Sequence, residues 1–103
     1  MNENELQKEY DDLIRFIQFS LQELPTGVLY GVNSATEEEC QELMTDLSRL
    51  ERMSEKLSID NAQFIKNCRW HFEKYPHYLS QKSQFSSYEE YILKHNGPMQ
   101  VQA

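Results

Sequence analysis

Glycine and proline are scarce in this chain. Three of each, Gly27, Gly31, Gly97, Pro25, Pro76 and Pro98, serve 103 residues. These are the strongest punctuators of local structure. They leave segments 1–24, 25–35, 36–75 and 77–96, the second of them a short hinge. Cysteine is scarcer still: Cys40 and Cys68 cannot build a disulfide framework. Both are expected as free thiols in a reducing cytoplasm. Also missing is any apolar run near the roughly 20 residues that cross a bilayer. The opening Met-Asn-Glu-Asn-Glu is acidic where a secretory leader is basic. No nucleophile elbow, phosphate loop or dinucleotide fingerprint occurs, so the chain is read as a non-enzyme that needs no cofactor.

What the chain has in quantity is acid, and the acid is unevenly placed. Residues 1–63 hold 14 acids against 5 bases, a net −9, while residues 64–103 hold 3 against 5, a net +2. The whole carries −7, which opposes general binding to nucleic acid or to an anionic membrane. The carboxyl-terminal stretch also holds all three histidines and eight of the twelve aromatics.

Periodicity predicts helices throughout. Leu6, Tyr10, Leu13, Ile14, Ile17, Leu21 and Leu24 recur at steps of three and four. Asn2 caps this first helix with Glu5 three residues on, and Pro25 ends it. Phe16 and Phe19 fall off the stripe and imply a second neighbour. The apolar hinge Val28, Leu29, Tyr30 and Val32 is read as a loop plugging the core. The second helix starts at Ser34 or Thr36 and presents Cys40, Leu43, Leu47, Leu50 and Leu57, with Ser54 in the missing heptad position. Met44 and Met53 widen its stripe.

The phase slips near Ser58, and the next stripe is Ile65, Cys68, Phe72, Tyr75 and Leu79. A tight break at Leu57–Asp60 is expected, with Ser58 and Asp60 capping the following helix. The rival is one helix of about 40 residues, some 60 Å long, which would demand an elongated dimer. Pro76 is expected to stop or kink the third helix. Ser86 or Ser87 caps the last helix, and Asn96-Gly97-Pro98 ends it. The expected fold is therefore all-α: a compact antiparallel bundle of three longer helices plus a short C-terminal helix. Residues 1–97 form the domain and 98–103 a tail.

Two surfaces exceed what folding requires. Glu37, Glu38, Glu39, Glu42 and Asp46 form the densest acidic cluster. A helix start favours acids by its dipole, yet the cluster also suits docking of a basic partner. Asp11, Asp12, Glu51, Glu55 and Asp60 would extend it if the first two helices lie side by side. The second surface is the basic and aromatic segment 66–82. Bases there could neutralise phosphates and rings could stack on nucleobases. Helical geometry puts Phe72 and Tyr75 in the core, however, and leaves Lys66, Arg69 and Lys74 as a solvated face. Trp70 stands off the stripe beside Lys66 and Arg69, either as a binding anchor or packed on Phe16 or Phe19 of the first helix. Cys68, His71 and His77, with Cys40, lack regular zinc spacing, and no metal is assigned. Cys68 with His71 inside a helix makes a poor nucleophile pair. These readings converge on a small acidic protein-interaction module, a regulator, inhibitor, immunity-type or chaperone-like protein. Its partner-binding residues would be Glu37, Glu38, Glu39, Glu42, Asp46, Lys66, Arg69 and Trp70. A nucleic-acid-binding regulator is the alternative, and a homodimer is left open.

Overall fold

The computed structural model describes residues 2–24 and 37–98. Helix α1 spans Glu3–Glu23, α2 Glu37–Leu57, α3 Ala62–Ser80 and α4 Tyr88–Lys94, with a 3-10 turn at Lys82–Gln84 between the last two. Among the described residues there is no strand, and no helix is long and apolar enough to cross a membrane. The three longer helices pack against one another, α2 in the middle, with the short α4 closing one side. The apolar hinge, the Ser34 and Thr36 caps, Pro25 and residues 99–103 lie outside the described residues.

The stripes expected from the sequence are the core. Tyr10, Leu13, Ile17, Leu21 and Leu24 come from the first segment. Cys40, Leu43, Leu47, Leu50 and Met53 come from α2, and Ile65, Cys68, Phe72 and Tyr75 from α3. Leu43, Leu47 and Leu50 are fully enclosed, and such burial contributes about 1.5–3 kcal/mol for each side chain. Two expectations for α1 divide. Asn2 accepts the Glu5 N–H at 2.9 Å, as capping requires. Phe16 packs against the core, but Phe19 stays 56% exposed.

The chain does break after Leu57, by a different device from the one expected. Ser58 sits in the left-handed region at φ 56°. Its N–H reaches the Glu55 carbonyl at 3.3 Å, and the Ile59 N–H reaches Ser54 at 2.9 Å. This pair of bonds is a Schellman motif closing α2. Ser58 therefore ends one helix and does not start the next. The residue before α3 is Asn61, whose side chain does not cap. Asp60 accepts the Ala62 N–H at 3.4 Å, so it supports the start from one position earlier.

Asn61 spends its amide elsewhere. Its Nδ2 donates to Tyr10 Oη of α1 at 2.9 Å and to Ser54 Oγ of α2 at 2.6 Å. Ser54 in turn donates to the Leu50 carbonyl at 2.8 Å. The polar residue in the missing heptad position is thus one node of a network joining three elements. It places the start of α1 beside the end of α2 and the start of α3, which fixes antiparallel order. At the opposite end, Cys40 and Met44 of α2 share a groove with Phe72 and Pro76 of α3.

Pro76 neither stops nor divides α3, which runs on to Ser80. A proline removes one N–H and crowds the preceding turn. Packing beyond the proline stabilises the continuation: Tyr78 is buried in the same aromatic core as Tyr75, their ring centroids 5.7 Å apart. Helix α4 is held at both ends. Ser87 accepts the Glu90 N–H at 3.2 Å, and Glu90 reaches back to the N–H and hydroxyl of Ser86. Asn96, at φ 54°, begins a second Schellman ending, with Gly97 N–H on the Ile92 carbonyl at 2.9 Å.

Candidate functional site

The acidic cluster divides over α2. Positions 38, 42 and 46 lie four apart and so form one row. Glu38 and Glu42 are exposed. Asp46 is half-buried at the seam with α1, where Glu9, Asp12, Leu13, Phe16 and Arg49 line a groove of about 400 Å³. Burial pushes the Asp46 carboxyl above its ordinary range, and the nearby Arg49 guanidinium pulls partly against this. Glu37 faces the other way, into a groove of about 390 Å³ between α2 and α3 with Cys40, Met44, Phe72, Glu73 and Pro76. Glu39 is half-buried between these directions. The five acids therefore do not form one continuous patch. Glu38, Glu42 and Asp46 do, and α1 extends them with Glu9 and Asp12. Glu51, Glu55 and Asp60 instead line a notch at the α2–α3 turn with Ser58 and Asn61.

The second surface contracts in a different way. Arg69 meets Glu51 of α2 through two hydrogen bonds, at 3.2 and 3.3 Å. Lys74 lies 3.9 Å from Glu73. Lys66 is exposed and makes no ion pair among the described residues. Phe72, Tyr75 and Tyr78 are buried. Of the bases and rings in 66–82 that might have met nucleic acid, one arginine is engaged within the fold and three rings are enclosed.

Trp70 is half-buried. Its described ring contacts are on the α4 side and with His71: 6.4 Å from Tyr91 and 5.2 Å, edge-on, from His71. Gly97 passes over the indole so closely that a Cβ there would stand 2.3 Å from Cζ2 and Cη2. The expected neighbour was α1, and the observed one is the end of α4. The reason is the Asn96–Gly97 ending, which turns the chain back onto α3. Together Lys66, Asn67, Arg69, Trp70 and Glu73 of α3 face Asn96, Gly97 and Pro98 across a groove of about 490 Å³. Pro98, placed in the tail by sequence, is one of its walls.

Behind this groove lies a feature that periodicity missed. His71 is completely enclosed, with Nδ1 2.8 Å from Tyr88 Oη. His77 Nδ1 meets Tyr91 Oη at 2.5 Å. His95 Nδ1 meets the Tyr91 carbonyl at 2.9 Å, and its ring stacks 4.0 Å above the Tyr91 ring. All three histidines thus serve one joint between α3 and α4. The signal was available: His71 and Tyr78 lie four before and three after Tyr75, and so widen the expected stripe on one side.

The same geometry bears on the metal and thiol readings. His71 bonds to Tyr88, while His77 lies beside His95, their ring centroids 6.1 Å apart. Among the described residues no three His, Cys, Asp or Glu side chains are placed to share a metal ion. Burial pushes the Cys68 thiol up to about 12. Cys40 rises to about 11 through burial first, then the charges of Glu39 and Glu37. Both thiols are held protonated, which makes them poor nucleophiles. Comparison with protein-family models, with curated proteins and with solved structures returns no match.

Proposed function

We propose that this chain is a non-enzymatic protein-interaction module whose principal working face is the groove between α3 and the end of α4. The observation that carries this reading is Trp70. A half-buried indole, fixed from behind by Tyr91 and His71 and roofed by Gly97, stands in a concave site with Lys66, Asn67 and Asn96 at hand. Large, rigid aromatic side chains in pockets are the usual anchors of protein interfaces, because they bury much area at little entropic cost. The row Glu38, Glu42 and Asp46 supplies a second, acidic face, suited to steering a basic partner toward the molecule.

The nucleic-acid alternative keeps less support. It needs exposed rings and unpaired bases, and segment 66–82 offers the half-buried Trp70 with Lys66 and Lys82 for that work. Affinity purification from the native host, followed by mass spectrometry, tests the proposal. A defined protein retained by the native chain should be lost from Trp70→Ala or from Lys66→Glu while Lys82→Glu keeps it. Retention by all three variants would place the working face elsewhere. Nucleic acid retained in a steeply salt-dependent way, with no protein, would favour the alternative.

A further inference from the structure

We propose that the joint between α3 and α4 is an acid-sensitive latch, with His71 as the sensor and release of α4 from the Trp70 groove as the response. The construction of the joint supports this. Helix α4 has seven residues, too few to be stable alone. Its place depends on Tyr88, Tyr91 and Ile92, all buried. Two of these reach α3 through histidine: Tyr88 to His71 and Tyr91 to His77.

His71 differs from the other two in having no exposure at all. In the neutral form Nδ1 and Tyr88 Oη share a hydrogen bond whose direction follows the ring tautomer. Nε2 has no hydrogen-bond partner of ordinary geometry, while the Pro98 carbonyl acts on the ring. A second proton would make both ring nitrogens donors. It would bar Tyr88 from donating to the ring and place a cation in an aromatic interior, an expensive arrangement without a paired anion. Among the described residues no paired anion is at hand. Around His71 stand Tyr88 from α4, Trp70 of its own helix and the Pro98 carbonyl. Around Tyr88 stand Tyr75, Tyr78, Tyr91 and, from α2, Cys40. Tyrosine and cysteine are neutral across the acid range. The charged groups Lys66, Arg69 and Glu73 line the groove on the far side of Trp70, and the shift of His71 is carried by burial, with the Pro98 carbonyl working against it.

The sign follows from linkage. Burial pulls His71 down to about 4, against 6.5 for the free side chain. The neutral, latched form is fully favoured above pH 6.5, and its advantage is lost as pH falls from there toward 4. With those two values, opening becomes about 30-fold more favourable at pH 5 than at pH 8. Opening would lift Gly97 and Pro98 from Trp70 and change the groove. The latch does not depend on what the groove binds, because it can be read on the isolated chain.

The test is amide hydrogen exchange of the full chain at pH 8 and pH 5, corrected for the intrinsic rate. The amides of Tyr91, His95 and Gly97, each hydrogen-bonded within the α4 segment, should lose about 30-fold in protection, while those of Leu43 and Leu47 hold. His71→Phe should abolish the difference, and His95→Gln should keep it. The proposal is overturned if α4 protection is unchanged, if it falls in step with α2, or if it still falls in His71→Phe. Should His71→Phe fail to fold, nuclear magnetic resonance of the native histidines decides. A His71 ring that titrates near 6.5 while α4 stays protected overturns the latch, and one silent until α4 opens supports it.

Discussion

Gly97 and Trp70 are in van der Waals register with no room for a methyl group between them: a Cβ on Gly97 would stand 2.3 Å from two indole carbons. This close approach explains the glycine. The left-handed residue of the turn is Asn96, so Gly97 is needed for space and not for its backbone angle. Gly97→Ala should therefore push the indole outward or lift the end of α4. The expected cost is about 1–3 kcal/mol, the usual range for overpacking. Chemical denaturation measures that cost. Because Trp70 is the single tryptophan, a red-shifted native emission would report the displaced ring directly. An unshifted spectrum with unchanged stability would contradict the contact.

The network around Asn61 should behave as one unit. Asn61 donates to both Tyr10 and Ser54, so Asn61→Ala leaves two part-buried oxygens without that donor. The expected loss is about 1–3 kcal/mol, against about 1 kcal/mol for Tyr10→Phe. The double variant should lose less than the sum, since each change removes the same bond. Strict additivity in urea denaturation would show that the Asn61–Tyr10 bond contributes nothing.

Ser58 carries a strain that glycine would relieve. It holds φ 56° to close α2, a conformation that costs a residue with a Cβ roughly 1 kcal/mol or more. Ser58→Gly should raise stability by about 0.5–1 kcal/mol, and Ser58→Ala should not. Thermal melts of the two variants beside the native chain check this, and a loss on Ser58→Gly would refute it.

Some of these features are legible in residue order and others are not. Stripes spaced by three and four name the core of α1, α2 and α3 because burial follows helical period directly. The break at Leu57 is legible as a slip in phase. Its mechanism is not, because a left-handed serine has no sequence mark to set it apart from a capping one. Pro76 misleads for a related reason: its local cost is visible in sequence, whereas the packing of Tyr78 that offsets it is tertiary. The site divides in the same way. Lys66, Arg69 and Trp70 do line one groove with Asn96 and Gly97, but the pairing of Arg69 with Glu51 joins residues 18 apart in sequence. No local pattern announces such a pair. The acidic cluster reads as one surface because its members are close in sequence, yet helical rotation sends Glu37 to the opposite side from Asp46.

Both thiols should be nearly inert in the folded chain. Cys40 and Cys68 are enclosed, and burial raises them to about 11 and about 12. A raised thiol is protonated until pH approaches its folded value, so little thiolate exists at pH 8. A thiol-specific disulfide reagent at pH 8 should label neither in native protein and both in denaturant. Rapid labelling of one thiol under native conditions would contradict its burial.

The central functional claim is that Trp70 and its groove receive a protein. The most direct measurement is titration of the native chain with the protein recovered from affinity purification, following Trp70 emission. Saturable change in that emission is predicted, with affinity reduced at least tenfold by Lys66→Glu at the groove edge and hardly altered by Lys82→Glu. Saturable binding that leaves Trp70 emission unchanged and ignores Lys66→Glu would contradict it.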